Sequence, residues 1–74
     1  MTPEQFEAAL GGYCRRRPFR AFLIELTSGS QLLISHPEAV RPEGELHLMR
    51  RPDAGYEAFA AESVARLVDL PTAK

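Results

Sequence analysis

One helical signal followed by a close succession of short apolar runs, all within 74 residues, limits the fold more than any other feature of this chain. The helix opens at Thr2-Pro3-Glu4-Gln5, and the runs are Phe22-Leu26, Leu32-Ser35, Glu45-Arg50, Tyr56-Ala60 and Arg66-Leu70. Turn residues rather than helices separate these runs, which favours a barrel over a parallel α/β sheet, because a parallel sheet needs intervening helices. The expectation is one domain over residues 1–74, mainly β with an N-terminal α-helix. The helix is expected at about 3–13, and a small, strongly bent five-stranded antiparallel sheet or barrel at about 20–70.

Thr2 has the chemistry of an N-cap, its hydroxyl accepting from the Gln5 amide while the Gln5 side chain reaches back, and Pro3 stands where a missing N–H costs nothing. Phe6, Ala9, Leu10 and Tyr13 recur at i, i+3, i+4 and i+7, so they form one apolar stripe. Gly11-Gly12 weakens the C-terminal half, and Pro18 ends any continuation by disfavouring the helical conformation at Arg17.

Phe22, Ile24 and Leu26 alternate onto one face, and Ser28-Gly29 is the turn into a returning strand. His36-Pro37-Glu38 interrupts pairing, Pro42-Glu43-Gly44 reads as a further turn, and Arg51-Pro52-Asp53-Ala54-Gly55 has loop chemistry throughout. In the third run Leu46 and Leu48 are expected to face inward, with Glu45, His47 and Met49 opposite. Ala61-Glu62-Ser63-Val64 lacks alternation and predicts a single helical turn before the last strand, which Pro71 ends. The expected core is Phe6, Leu10, Phe22, Ile24, Leu26, Leu32, Ile34, Leu46, Leu48, Phe59, Leu67 and Val68.

A domain this small buries only about 60% of its unfolded surface, so disulfides, metals or self-association usually supplement the core. Cys14 is the only cysteine, which excludes an internal disulfide. No basic segment followed by an apolar run marks a signal peptide, and Ala21-Phe22-Leu23-Ile24 is far short of the ~20 apolar residues of a membrane span. A cytoplasmic protein without a membrane partner is therefore expected, and self-association is the remaining supplement. Net charge is −1, which provides no global attraction to nucleic acid.

The first hairpin, Phe22-Leu23-Ile24-Glu25-Leu26-Thr27-Ser28-Gly29-Ser30, and the segment from Tyr56 to Val68 resemble the Sm-like family of LSm and Hfq-type proteins. That resemblance implies an N-terminal helix and an Sm-like or SH3-like small barrel, with a short helical turn before the last strand. It also implies a homo-oligomer in which the fourth strand of one copy pairs with the fifth of the next, through Tyr56, Ala58, Ala60, Arg66 and Val68. His36-Pro37-Glu38-Ala39 stands where the family carries an Asp or Asn pattern, and Phe59-Ala60-Ala61 stands where Hfq carries Tyr-Lys-His. The resemblance therefore extends to fold and assembly rather than to the family's RNA site. Arg17-Pro18-Phe19-Arg20-Ala21-Phe22, with His36-Pro37-Glu38, is also similar to a group of short uncharacterised bacterial proteins and implies no activity.

Arg15, Arg16, Arg17 and Arg20, near Tyr13 and Phe19, are the candidate nucleic-acid-binding residues, since guanidinium forks suit phosphate oxygens and aromatic rings can stack on bases. Against this, cations at a helix C-terminus simply complement its dipole. Cys14, His36 and His47 match no zinc spacing, so neither metal nor cofactor is expected. Arg15 to Arg17 would lower the Cys14 pKa, but a nucleophile also needs an imidazole beside it. Ser28, Ser30 and Ser35 lack a nucleophile-elbow context, and Gly11-Gly12 lacks the Lys of a phosphate loop. The expectation is a non-enzymatic, self-associating interaction module, with an RNA-binding protein using the arginine cluster as the alternative.

Overall fold

The computed structural model describes residues 1–51, 53 and 55–70. The expected roles of Pro52 and Ala54 in a loop and of Pro71 in ending the last strand lie outside the described residues. Helix α1 spans Pro3–Cys14 and opens on the expected capping box. The Gln5 amide donates to Thr2 Oγ1 at 3.1 Å, and the Thr2 amide donates to Gln5 Oε1 at 3.1 Å. Phe6 is fully buried, while Ala9, Leu10 and Tyr13 pack half-buried against the core, so the predicted stripe is the packing face. The helix continues through Gly11-Gly12 to its cap at Arg15, whose amide donates to the Gly11 carbonyl at 3.0 Å.

Six strands follow, one more than expected: β1 (Phe22–Leu26), β2 (Gln31–Ile34), β3 (Val40–Glu43), β4 (Leu46–Arg50), β5 (Tyr56–Phe59) and β6 (Val64–Asp69). They form two three-stranded antiparallel sheets, ordered β2-β1-β6 and β3-β4-β5, and do not close into a barrel. The division follows from Pro37, which breaks the chain between β2 and β3 where a continuous bent strand would have joined the sheets.

Strand β3 replaces the expected Pro42-Glu43-Gly44 turn. The reversal lies one step later, at Gly44-Glu45, where Gly44 has φ of 62° and Glu43 pairs directly with Leu46. A left-handed φ at the first position of a two-residue hairpin suits glycine. The Arg50 amide donates to the Ala39 carbonyl, and counting the ladder from there turns the backbone nitrogen of Pro42 away from β4. Proline therefore costs this edge strand no ladder bond.

The phase of β4 is the reverse of the expected one. His47 and Met49 are buried, Leu48 is half-buried, and Leu46 is 44% exposed. Directly paired residues share a face of the sheet. His47 is paired with the buried Phe59, and Met49 with the half-buried Val40, so the neighbours set the phase. Strand β6 begins at Val64 rather than Arg66, with a register shift opposite Glu25/Leu26, and the turn at Ala61–Ser63 is a 3-10 turn.

The core comprises Phe6, Phe22, Ile24, Leu32, Ile34, Met49, Phe59, Ala61, Val64 and Leu67. Of the other expected members, Leu10 and Leu26 lie half-buried against it and Val68 is half-buried. At its centre the His47 ring sits edge-on to Phe6 at 4.8 Å and stacks with Phe59 at 5.7 Å. The Nδ1 atom of His47 is buried and has no hydrogen-bond partner among the described residues.

Candidate functional site

Local structure at the end of α1 separates the four arginines that the sequence places together. The Arg16 Nη1 pairs with Asp69 Oδ1 at 2.6 Å, Nη2 donates to the Arg20 carbonyl at 3.0 Å, and the guanidinium lies 4.6 Å from the Tyr13 ring centre. Arg16 thus ties the helix to the end of β6. Arg17 donates to the Arg16 carbonyl at 3.1 Å, and the Arg15 guanidinium lies against Gly11, where an added Cβ would meet its Nη1 at 2.8 Å. Arg15, Arg17 and Arg20 are exposed and pair with no carboxylate among the described residues.

The neighbouring aromatics belong to the core rather than to a stacking surface. Tyr13 tilts onto Phe22 at 4.7 Å and donates its hydroxyl to the Leu67 carbonyl at 3.2 Å, and Phe19 meets Phe22 edge-on at 6.2 Å.

Cys14 is half-buried beside this cluster. Burial first, and then the Glu38 carboxylate, push its thiol above the ordinary thiol range, outweighing the opposite pull of Arg15 and Arg16. The net shift therefore runs against the activating direction expected from the arginines. Cys14 is expected to react with iodoacetamide at neutral pH more slowly than free cysteine, with its rate still rising beyond the pH where free cysteine levels off. Faster reaction, with a midpoint below that of free cysteine, would contradict this assignment.

Of the residues assigned to self-association, Tyr56 and Ala58 lie on β5, Arg66 and Val68 on β6, and Ala60 just past the end of β5; each strand ends its sheet. The Arg51 amide donates to the Gly55 carbonyl, and alternation from that bond turns the backbone groups of Glu57 and Phe59 toward β4. Those of Tyr56, Ala58 and Ala60 turn outward. The Ala60 carbonyl accepts from the Ser63 amide at 2.9 Å, whereas among the described residues no strand pairs with Tyr56 or Ala58 on this side, and Tyr56 is 61% exposed.

On β6 the corresponding count turns Arg66 and Val68 toward β1, leaving Leu67 and Asp69 outward, and the register shift at Ala65 interrupts the alternation before them. The Leu67 carbonyl is taken by Tyr13, and the Val64 carbonyl accepts from the Met1 nitrogen at 2.8 Å. The Arg66 side chain pairs across the sheet with Glu25 at 2.6 Å, and Gln31 adds a hydrogen bond at 3.0 Å. Arg66 first, and then Gln31, hold the Glu25 carboxyl below its ordinary range. The stabilisation from this pair is complete above the ordinary carboxylate range and fades as pH falls through the lowered value, but solvent screening keeps it small.

A concavity lies elsewhere among the described residues, between the outer edge of β2 and the end of β4. It has a volume of about 550 Å³ and is lined chiefly by Leu33, Ser35, His36, Glu38, Arg50 and Arg51. A shallower hollow of about 140 Å³ adjoins it across Glu38, Ala39 and Arg50, bringing in Arg41 and Tyr56. Arg50 makes no ion pair among the described residues, whereas Arg51 is shared between Glu57 at 3.5 Å and Asp53 at 3.8 Å. His36 and Arg50 come from separate runs of sequence, so only the fold joins them.

Among the described residues, no three His, Cys, Asp or Glu side chains converge on a metal position, and no helix is long and apolar enough to cross a membrane. No protein-family model matches the chain, and comparisons with curated proteins and with solved structures return no match.

Proposed function

We propose that the chain is a non-enzymatic interaction module of Sm-like type that self-associates through its open strand edges. The strand order supports this reading. If β2 and β3 are taken as halves of one strand interrupted at residues 35–39, the path β6-β1-β2/β3-β4-β5 follows a bent five-stranded sheet. The observation that carries the proposal is the edge of β5, where the amide of the exposed Ala58 faces outward beside the exposed Tyr56. An uncovered edge is a template for another strand. The approaching partner is β6 of a second copy, which offers the backbone groups of Asp69.

Light scattering across a concentration series tests the reading. The chain is expected to form oligomers at high micromolar concentration. Ala58→Pro is expected to lower the oligomeric state while leaving the fold intact, because it removes an outward donor and no ladder bond. A monomer at every concentration would refute self-association.

A second reading rests on the exposed Arg15, Arg17 and Arg20. If these bind single-stranded RNA, the log–log dependence of affinity on salt has a slope of about −0.7 per neutralised phosphate, and replacing all three by alanine flattens it. With Arg16 held by Asp69 and the adjacent rings in the core, binding is expected to be weak and confined to low salt. Specific binding at physiological salt that survives the triple replacement would overturn this assignment.

A further inference from the structure

The cleft beside β2 combines a strand edge that is unpaired among the described residues with an arginine, Arg50, that has no carboxylate partner there. Strand β2 ends the first sheet, because the linker at residues 35–39 carries the chain away to pair with β4 instead. The Leu26 amide donates to the Ser30 carbonyl at 2.9 Å, and alternation from that bond turns Leu32 and Ile34 toward β1. The backbone groups of Gln31, Leu33 and Ser35 therefore face away from β1, and Leu33 and Ser35 line the cleft.

The side chains around this edge define what it would accept. Leu33 is 42% exposed and offers an apolar contact on one wall. His36, Arg50 and Arg51 also line the cleft; Arg50 has no ion pair among the described residues, Arg51 is shared between Glu57 and Asp53, and Arg41 in the adjoining hollow lies 4.0 Å from Glu43. Among the described residues, Glu38 is the only carboxylate in the lining. The chain as a whole carries a net charge of −1, so the attraction this cleft offers an anion comes from Arg50, which has no carboxylate partner among the described residues.

We propose that the cleft is a docking groove for an extended acidic segment of a partner protein, which adds as a strand to the edge of β2 and sets a carboxylate against Arg50. A peptide is favoured over a nucleic acid because the edge presents alternating donors and acceptors at strand spacing, which only another polypeptide backbone matches along its length. Charge complementarity specifies the acidic character, and a guanidinium facing a carboxylate supplies direction as well as attraction. This groove lies on a different edge from β5 and β6, so it extends the interaction-module reading without depending on self-association.

The test uses the full chain and a fluorescein-labelled peptide of alternating Glu and Val, followed by fluorescence polarisation. Binding is expected to be at least about tenfold tighter than to the Lys-Val peptide of equal length. Arg50→Ala is expected to weaken binding by about tenfold, and so is Ser35→Pro, which removes an outward donor and no ladder bond. Circular dichroism of both variants verifies that they fold. Methylating alternate peptide nitrogens should abolish binding on the face that meets β2, whereas Ala58→Pro should leave it unchanged.

Equal binding of the methylated peptides in both registers would reduce the interaction to unspecific ionic attraction and overturn strand addition. Absence of polarisation change at low salt would overturn the groove altogether. Oligouridine that binds in an Arg50-dependent manner where the peptide does not would assign the cleft to nucleic acid and equally overturn the proposal.

Discussion

Ile24→Ala is expected to destabilise the chain by about 2–5 kcal/mol, the range for truncating a buried aliphatic side chain that leaves a cavity. Ile24 is fully buried on the central strand of the first sheet, directly paired with Leu32 on one side and Leu67 on the other. Both neighbours are themselves buried and held in their ladders, so the site cannot close over the missing methyl groups. Whole domains are stable by only about 5–15 kcal/mol, and small ones lie toward the lower end, so the variant should be largely unfolded at modest urea concentration. Urea unfolding followed by far-UV circular dichroism measures the change. A loss below about 1 kcal/mol would mean that Ile24 does not occupy a packed interior.

His47→Asp and Leu46→Asp are expected to differ sharply, although leucine is the more hydrophobic residue. At position 47 the carboxylate would stand between Phe6 and Phe59 without a charge partner, and an uncompensated buried charge costs about 3–5 kcal/mol. At position 46, which is exposed, the change should remain within about 0.5–1 kcal/mol. His47→Leu should be neutral or stabilising, because it removes the unpartnered Nδ1 from the core. Thermal unfolding of the three variants tests the phase of β4, and the opposite order of Leu46→Asp and His47→Asp would reverse it.

The elements that were legible in the sequence are those decided by near neighbours. The Thr2–Gln5 box, the stripe from Phe6 to Tyr13 and the hairpin at Ser28-Gly29 each rest on contacts within one turn of helix or one reversal of chain. Strand β3 was not legible, because Val40-Arg41-Pro42-Glu43 contains a proline and exposes all but Val40, so it has no alternation to read. The face of β4 was misread because hydropathy favours Leu46 and Leu48, whereas the partners Val40 and Phe59 decide the matter. The arginines were visible as a cluster, but Asp69, which holds Arg16, lies 53 residues away. The cleft was invisible for the same reason, since Leu33 and Arg50 become neighbours only when the chain closes. A proline between two apolar runs was the available signal that β2 would have an unpaired edge.

The place of β6 beside β1 also governs how the molecule comes to exist. The sheet β3-β4-β5 is a meander of hairpins between near neighbours in sequence, which form on the microsecond scale. The other sheet must join Phe22 to Asp69, a closure across most of the chain, and non-local pairing of this kind is slow. During synthesis from the N-terminus, β1 emerges before its second neighbour and waits for it until Asp69 has been made. Throughout that interval Phe22-Leu23-Ile24-Glu25-Leu26 has one bare flank, and an uncovered apolar strand in a nascent chain is the kind of surface that captures another copy. A ribosome stalled before Val64 would hold the molecule at its most adhesive, with the burden of protection falling on chaperones rather than on the fold.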